Sequence, residues 1–298
     1  MNNKKFLNFG SLNQDMVYSV DHSVRPGETT ASSKLEFFCG GKGLNQSIAL
    51  AKAGARVFHS GCVGTDGDKL IAKLIENGVD ASLVRKCDMP SGHAIIQVDK
   101  NGQNSILLFG GANNRISEKQ IDEVLSNFES GDRIFLQNEI NNVGKIISAA
   151  SEKGMEIVFN PSPFGAEILS YPLDKIDWFI VNETEAYELT KESDPDKILS
   201  VFSEKYPSAN VLLTLGSDGS VCRANGKAYR QEIFNVPVVD TTAAGDTFLG
   251  FFFALLDDLG IAGALRYASA ASAVAVSRNG ASSSIPNLSE VKNFLNKQ

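Results

Sequence analysis

The sequence is poor in the residues that form disulfide frameworks and metal clusters. Its three histidines are dispersed, and its four cysteines lie far apart with no CxxC pair: Cys39, Cys62, Cys87 and Cys222. Such spacing is not that of a zinc site or a disulfide scaffold, and scattered thiols are typical of a reducing compartment. We therefore expect a cytoplasmic protein without a cysteine-based framework.

Positive charge and long apolar runs are also scarce. The formal net charge is −7, and the sequence has no basic stripe that could meet nucleic-acid phosphates. The longest apolar stretch, FLGFFFALL, is too short to span a bilayer, and the first residues lack the apolar segment of a signal peptide. We expect neither a nucleic-acid partner nor a membrane partner, although a small anionic ligand would need only a local site.

Most of the chain alternates between short β-rich runs and helical patterns. The runs RIFLQNE, MEIVFNP, DWFIVNE and NVLLTLG each end in polar residues or glycine, and helical patterns such as VGKIISAASEKG separate them. Strands separated by helices predict a mostly parallel sheet covered on both faces. We therefore expect one α/β domain over residues 1–298, built as a three-layer α/β/α sandwich.

Two β-rich insertions interrupt this alternation. GHAIIQVDKNGQNSILLF forms two runs around Asn101 and Gly102, a dipeptide that favours a hairpin. Together with the segment at about 14–40, the hairpin at 92–109 predicts a small second sheet. Ligands of parallel sheets bind beyond the carboxyl ends of the strands, so we expect this sheet to form a lid over that edge. Its far face would need cover, which predicts a homodimer through the lid.

The stretch VVDTTAAGDTFLGFFFAL, from Val238 to Leu255, carries the strongest functional signal. VPVV is typical of the end of a buried strand and TFLGFFFALL of a buried helix, with small residues between them. Small residues let a ligand approach the backbone N–H groups at the start of a helix. Asp246 is then either a helix cap or a catalytic base held over those groups.

Two early segments allow both a structural and a functional interpretation. FCGGKGLNQS is neither a Walker A loop nor a GxGxxG motif. Its Lys42 and Asn45 are either solvated or bind the hydroxyl groups of a ligand that the glycines admit. Asn13 and Asp15, in GSLNQD, form either an Asx turn or part of a sugar site, where each hydroxyl both donates and accepts.

Two later segments are equally open. Asn182 and Glu185, in VNETE, stand three residues apart at the start of a predicted helix, as in a capping box. The alternative is a Mg²⁺ site that acts through water. TLGSDGS, residues 214–220, forms either a turn or a loop that wraps nucleotide phosphates.

Taken together, GSLNQD, GGKGLNQ, VNETEA, TLGSDG, DTTAAGDTF and the late RNGASSSIP resemble the ribokinase branch of the PfkB carbohydrate kinase family across essentially the whole chain. The resemblance implies transfer of the γ-phosphate of ATP to the primary 5-hydroxyl of a sugar, with D-ribose the favoured acceptor. Asp246 would take the proton from that hydroxyl. The N–H groups of Ala244, Gly245 and Asp246 would hold the phosphoryl group in transfer.

The same resemblance implies the other site residues and the cofactors ATP, Mg²⁺ and K⁺. The sugar would be held by Asn13, Asp15, Gly41, Lys42, Asn45, Glu139 and Asp246. The nucleotide would contact Asn182, Thr214, Leu215, Gly216, Ser217, Asp218, Gly219, Gly245 and Ser269. Mg²⁺ would lie near Asn182 and Glu185, bound through water. K⁺ would be held by Asp240, Thr242, Ala275, Arg278, Gly280 and Ser284, several of them through backbone carbonyls.

Two departures from the family pattern leave alternatives open. Ser269 stands where some ribokinases have a nucleotide-contacting histidine, and the lid sequence SGHAIIQVDKNGQ differs from that of familiar ribokinases. Another acceptor, such as 2-deoxyribose, fructose or a nucleoside, would keep the same mechanism. A non-catalytic sugar or nucleotide sensor on this fold would be expected to lack the base or the glycines, and the sequence has both.

Overall fold

Two separate sheets and eight α-helices make up the part of the chain that the computed structural model describes, residues 4–298. The strands are β1 (Phe6–Phe9), β2 (Asn13–Ser19), β3 (Lys34–Gly40), β4 (Val57–Val63), β5 (Asp80–Lys86), β6 (Gly92–Val98), β7 (Asn104–Phe109), β8 (Arg133–Gln137), β9 (Glu156–Asn160), β10 (Trp178–Asn182), β11 (Asn210–Thr214), β12 (Ser220–Ala224) and β13 (Lys227–Gln231). The helices are α1 (Lys42–Lys52), α2 (Asp68–Glu76), α3 (Glu118–Leu125), α4 (Val143–Glu152), α5 (Glu183–Thr190), α6 (Pro195–Lys205), α7 (Ala244–Val276) and α8 (Leu288–Leu295).

The large sheet has nine strands in the order β13-β12-β11-β10-β9-β8-β1-β4-β5. Every pair from β11 to β5 is parallel. Only the β12–β13 hairpin at one edge is antiparallel to its neighbours. The predicted α/β fold with a mostly parallel sheet is therefore confirmed.

Helices cover both faces of the large sheet because its strands are apolar on both sides. In β10, Phe179 and Val181 pack in the core on the side of α3, α4, α5 and α6. Trp178 and Ile180 pack in the core on the side of α1, α2, α7 and α8. Alternate residues of one strand thus enter opposite cores, which is the pattern of a sheet buried between two helical layers.

The small sheet has four strands in the order β3-β2-β6-β7, with β2 and β6 parallel and both outer pairs antiparallel. The small sheet begins where the chain leaves the carboxyl edge of the large sheet, the edge at which the parallel strands end. At this junction Asn13 pairs with Gly40 on one side and Gly92 on the other. A Cβ on Gly92 would lie 2.1 Å from Nδ2 of Asn113, so this crossing point has no room for a side chain.

Helix α7 spans 33 residues and is long and apolar enough to cross a membrane by length and composition alone. Its apolar character has another explanation, because Phe251, Phe252 and Phe253 are all fully buried in the core beside α1. The helix is also broken at Gly260, whose φ of 66° and ψ of 177° are not helical.

The segment between β13 and α7 differs from the prediction that VPVV ends a buried strand. Residues 232–243 contain no strand, and Val238 and Val239 are 67% and 52% exposed. The prediction was wrong because an apolar run can serve a ligand as well as a core: Val236 and Val238 line an open cavity.

Candidate active site

Asp246 lies in the first turn of α7, where the backbone turns sharply into the helix. The turn is made at Ala243, whose φ of 59° and ψ of 12° are in the left-handed region. Alanine is strained in this region by about 1 kcal/mol, so the surrounding contacts must impose the conformation. The N–H of Ala244 donates to the carbonyl of Thr241 at 3.2 Å.

The next two N–H groups of this helix start are free. Within residues 4–298, no acceptor takes the N–H of Gly245 or of Asp246. Gly245 is exposed, and the space beside its Cα is empty. Free N–H groups at a helix N-terminus favour a bound anion such as a phosphoryl group.

Both carboxylate oxygens of Asp246 accept hydrogen bonds from α1. Nδ2 of Asn45 donates to Oδ2 at 3.2 Å, and Nε2 of Gln46 donates to Oδ1 at 2.9 Å. The carboxylate is therefore held against the helix that follows the GGKG segment, while the start of its own helix stays open. The carboxylate therefore has a fixed orientation and does not cap its own helix.

Lys42 brings a positive charge to the same place. Burial disfavours its ammonium group, but the carboxylates of Asp246, Glu139 and Glu185 outweigh burial and raise the pKa of Lys42 above its usual value. Glu139 accepts the backbone N–H of Lys42 at 3.0 Å and the hydroxyl of Ser11. Glu139 is itself largely buried, and burial raises the pKa of its carboxyl group.

Asp15 reaches this cluster from the small sheet. Burial, and then the charge of Glu139, raise the pKa of Asp15 to about 7. A Cβ on Gly40 would lie 1.9 Å from Oδ2 of Asp15, so the neighbouring strand must have glycine there. A carboxyl group that has lost water in this way is suited to bind ligand hydroxyls, which replace the lost hydrogen bonds.

Two asparagines complete the polar cluster. Nδ2 of Asn113 donates to Oδ1 of Asn13 at 2.7 Å, while Oδ1 of Asn113 accepts the N–H of Leu12 at 3.0 Å, so the orientation of Asn13 is fixed. Oδ1 of Asn45 is buried and has no partner among the residues that the structure describes. Because buried polar atoms are rarely left unpaired, this oxygen indicates a ligand that donates a hydrogen bond.

On the other side of the α7 start lies a cavity of about 750 Å³. Of the predicted nucleotide residues it is lined by Asn182, Thr214, Gly216, Ser217, Gly219, Gly245 and Ser269, together with Val236, Val238, Phe234 and others. Leu215 and Asp218 do not line it: Leu215 is buried and Asp218 is exposed. Hydroxyl groups, glycine backbone and an apolar wall are what a nucleotide requires.

Asn182 and Glu185 form the capping box that the sequence allowed. Oδ1 of Asn182 accepts the N–H of Glu185 at 2.9 Å, and Oε2 of Glu185 accepts the N–H of Asn182 at 3.0 Å. Asn182 also lines the cavity, so the cap and the functional interpretation are compatible. Among residues 4–298 there is no group of three or more metal-ligating side chains. A magnesium ion held mainly by nucleotide phosphates and water needs no such group.

The predicted monovalent-cation residues lie around the loop that precedes α7. Oδ1 of Asp240 accepts the N–H of Thr242 at 2.9 Å, and Oδ2 accepts the N–H of Gly280 at 2.9 Å. The N–H of Arg278 donates to the carbonyl of Ala275 at 3.0 Å, and the fully buried Ser284 donates to the carbonyl of Ala281 at 2.8 Å. Because the Asp240 side chain is occupied by protein donors, a cation here would be held mainly by backbone carbonyls.

Sequence reasoning missed a set of buried amides behind the site: Asn8, Gln46, Asn113 and Gln137. Gln46 belongs to the GGKGLNQ segment, of which Gly41, Lys42 and Asn45 were assigned a role. The available signal for Asn8 and Gln137 was a polar residue within or at the carboxyl end of a predicted buried strand, as in FLNF and RIFLQ.

Comparison with known proteins agrees with this geometry. The model of the pfkB family carbohydrate kinases matches residues 3–288. The chain is 37% identical over 298 residues to the ribokinase of Haemophilus influenzae, covering 96% of each protein. It is 31% identical over 297 residues to the deoxyribokinase of Salmonella typhimurium, covering 96% of this chain and 97% of that protein. The structure of Arabidopsis thaliana ribokinase complexed with ribose and ATP aligns with a TM-score of 0.85 at 30% identity, covering 98% of both chains.

Proposed function

The chain belongs to the pfkB family of carbohydrate kinases, and we propose that it transfers the γ-phosphate of ATP to the 5-hydroxyl of D-ribose. One observation carries this proposal. The start of α7 places a fixed carboxylate, that of Asp246, beside the free N–H groups of Gly245 and Asp246. The cavity of about 750 Å³ lies on one side of it and the polar cluster around Lys42 and Glu139 on the other. Phosphoryl transfer consists mostly of positioning and electrostatic stabilisation, which these groups supply.

In the proposed reaction the sugar hydroxyl attacks the γ-phosphorus. A new bond forms between the hydroxyl oxygen and phosphorus, the bond from phosphorus to the bridging oxygen breaks, and ADP leaves. Asp246 accepts the hydroxyl proton, and the N–H groups of Gly245 and Asp246 stabilise the charge on the phosphoryl oxygens. Mg²⁺, held near Asn182 and Glu185 through water, would neutralise the phosphates of the bound nucleotide.

Ribose is favoured over 2-deoxyribose because the sugar side is rich in polar groups that need partners. Burial removes water from three polar groups: the carboxyl group of Asp15, the ammonium group of Lys42 and Oδ1 of Asn45. A site built to bind a hydroxyl group discriminates strongly against an acceptor that lacks it, since its buried polar atoms are then left unpaired. Asn13 and Glu139 contribute to the same side, and Gly41 is the glycine before α1.

A nucleoside is the second candidate acceptor, and one observation supports it. A further cavity of about 370 Å³ adjoins Asn13 and Glu139 and is lined in part by Phe109 and Tyr171. Aromatic rings beside a sugar site are able to stack on a base. If the two rings enclose a base, adenosine should be phosphorylated with a higher kcat/KM than ribose.

We also propose that K⁺ activates the enzyme by ordering the loop that leads into α7. Support comes from the hydrogen bonds of Asp240, which tie this loop to Gly280 and so fix the approach to Ala243. A cation on the nearby carbonyls would hold the strained turn, and with it the free N–H groups, in place. Activity would then be higher with K⁺ than with Na⁺.

A homodimer through the small sheet is the proposed assembly. Phe37 and Leu107 lie on one face of this sheet and are 63% and 67% exposed, while Ile106 and Leu108 lie on the other and are 54% and 50% exposed. Exposed apolar side chains concentrated on one small sheet are typical of a protein interface. We expect a dimer mass by light scattering.

A cytoplasmic location fits the four free thiols and the use of ATP.

The acceptor specificity is tested by ADP release with MgATP and ribose, 2-deoxyribose, fructose or adenosine, each in K⁺ and in Na⁺ buffer. We expect the highest kcat/KM for ribose, increased by K⁺. A preference for another acceptor would contradict the ribose assignment and keep the kinase mechanism. Sugar binding by calorimetry without any ADP release would contradict the enzymatic assignment and favour a sensor.

A further inference from the structure

A chain of buried amides leads from the backbone to the proposed base. Nδ2 of Asn8 donates to the carbonyl of Gly43 at 3.0 Å, which leaves Oδ1 of Asn8 as an acceptor. Nε2 of Gln137 donates to this Oδ1 at 3.1 Å and to Oε1 of Gln46 at 2.6 Å. Each amide therefore orients the next, and a backbone carbonyl fixes the first.

The chain ends at Asp246. Because Oε1 of Gln46 accepts from Gln137, the Nε2 of Gln46 must point the other way, where it donates to Oδ1 of Asp246 at 2.9 Å. The same Nε2 lies 3.3 Å from Oδ1 of Asn160, whose Nδ2 donates to the carbonyl of Ile180 at 2.9 Å. A flipped Gln46 amide would set its oxygen against two other oxygens, so both sides of the network exclude it.

Close packing of two helices keeps Gln46 within reach of the base. A Cβ on Gly250 would lie 2.3 Å from Cβ of Ala49, so α7 and α1 touch at this glycine. Gly250 is one turn from Asp246 on α7, and Ala49 is three residues from Gln46 on α1, so both pairs share a helix face. The contact therefore sets the spacing of the hydrogen bond one turn away.

We propose that Gln46 is a positioning residue for Asp246, holding Oδ1 so that Oδ2 faces the acceptor hydroxyl. Gln46 is 1% exposed and lies behind the carboxylate, so it acts through Asp246 and touches neither substrate. Among residues 4–298, the one donor to Oδ2 is Asn45, at 3.2 Å, and Asn45 belongs to the sugar side of the site. Sugar binding would thus release Oδ2 for the incoming hydroxyl while Oδ1 stays held. This inference rests on the proposed function.

The test compares Gln46→Met, which keeps side-chain length and removes the donor, with the wild type. We expect kcat to fall about 10- to 100-fold, the effect of losing a hydrogen bond to a charged group, with KM for both substrates within about twofold. Gln137→Met removes the partner that orients Gln46 and should give a smaller loss of the same kind. The matched control is Gln120→Met, because Gln120 is also 1% exposed but its side chain bonds Gly61 and Cys62 on the far side of the sheet.

Each outcome decides between the alternatives. A kcat loss confined to Gln46→Met and Gln137→Met supports the proposal. An unchanged kcat in Gln46→Met overturns the proposal, because Gln46 would then have no effect on the base. An equal kcat loss in Gln120→Met also overturns it, because the loss would then be a general effect of altered packing. These ratios use whichever acceptor the wild type phosphorylates, so they do not depend on ribose. If the wild type phosphorylates nothing, the proposed function fails. A crystal structure of Gln46→Met then still tests the inference through the orientation of the Asp246 carboxylate.

Discussion

The two ends of strands β8, β9 and β10 both carry polar side chains, but these are paired in different ways. The first residues of the three strands are Arg133, Glu156 and Trp178, and the last are Gln137, Asn160 and Asn182. The same short strands thus connect two polar networks at opposite edges of one sheet.

At the amino edge the network consists mainly of charged side chains that pair with one another. The Arg133 guanidinium, 1% exposed, donates to Glu156 at 2.9 Å, to the carbonyl of Phe253 at 3.1 Å and to Asp257 at 3.2 Å. Nε1 of Trp178 donates to the other oxygen of Glu156 at 2.9 Å. Burial alone would raise the pKa of Glu156, but Arg133 and Lys4 outweigh it and lower that pKa.

At the carboxyl edge the network is built from neutral amides and stays open. In the described part of the chain, buried Oδ1 of Asn45 and Oε1 of Gln137 have no partner, and no acceptor takes the N–H groups of Gly245 and Asp246. The backbone turn at Ala243 is strained. One sheet thus separates two tasks: paired opposite charges hold the layers together at one edge, while unpaired groups and strain collect at the edge of the proposed ligand site.

Asp246→Asn should have the largest effect, because it removes the base and leaves the shape of the site. We expect kcat to fall by about 10²- to 10⁴-fold or more, with sugar affinity retained. Steady-state ADP release and sugar calorimetry measure the two quantities. Asp258→Asn, at an exposed position of the same helix, is the control and should be neutral. A kcat for Asp246→Asn close to that of the wild type would contradict the role of the carboxyl edge.

Arg133→Met should destabilise the fold and leave catalysis unchanged. Removing the buried guanidinium takes one cationic partner from Glu156 and from Asp257. Since both carboxylates are partly exposed and Lys4 still contacts them, we expect the low end of the usual range, about 3 kcal/mol of unfolding free energy. Urea unfolding measures it, and kcat per folded molecule should not change. The surface pair Arg85–Glu123 gives the control: Arg85→Met should cost less than about 0.5 kcal/mol. A lower kcat per folded molecule in Arg133→Met would contradict the view that the amino edge serves stability and the carboxyl edge serves catalysis.

Asp15→Asn should weaken sugar binding yet stabilise the folded protein at alkaline pH. The pKa of Asp15 is raised from 3.8 to about 7, so its favourable contribution to folding is full below pH 3.8 and is lost as pH rises to 7. Above pH 7 the buried carboxylate opposes folding. A neutral asparagine removes this cost, so the variant should have the higher Tm at pH 8 and a shrinking advantage towards pH 5.

The same variant should raise KM for the sugar about 10-fold or more, because a charged acceptor for hydroxyl groups is lost. Asp21→Asn, at an exposed position beyond the same strand, should change neither quantity. If Asp15→Asn had a lower Tm than the wild type at pH 8, the proposed cost of burying this carboxylate would be wrong.

Ala243→Gly should give the smallest effect, a gain of up to about 1 kcal/mol in stability, because glycine adopts the left-handed conformation without strain. Thermal unfolding measures the gain. Ala51→Gly inside α1 is the contrasting change and should lose about 1 kcal/mol. Destabilisation by both changes would mean that the Ala243 side chain makes contacts worth more than the strain.

Much of the fold followed from local patterns. Short apolar runs separated by helical periodicity predicted the parallel sheet, and Asn101 and Gly102 predicted the hairpin of β6 and β7. A similar Asn225–Gly226 turn between β12 and β13 was overlooked. VPVV was placed wrongly because periodicity reports apolar character and cannot tell a core from a ligand cavity.

Only part of the candidate site could be predicted from the sequence, because local patterns do not report contacts between distant segments. Lys42, Asn45 and Asp246 lie in segments whose glycines and small residues mark close approach of a ligand. Gln46 and Gln137 are 91 positions apart in the chain, and their 2.6 Å contact exists only because α1 packs on α7 and both lie over β8. A pairing that depends on three packed elements leaves no local signal.

The most direct test of the central claim is the position of the phosphate in the product made from ribose and MgATP by the wild-type protein. The product is isolated and its phosphorus-to-proton couplings are measured by NMR. We expect coupling to the two protons on C5, because the proposed mechanism has Asp246 and the N–H groups at the start of α7 act on the primary hydroxyl. Coupling to the anomeric proton, or no phosphorylated sugar from folded protein, would contradict it.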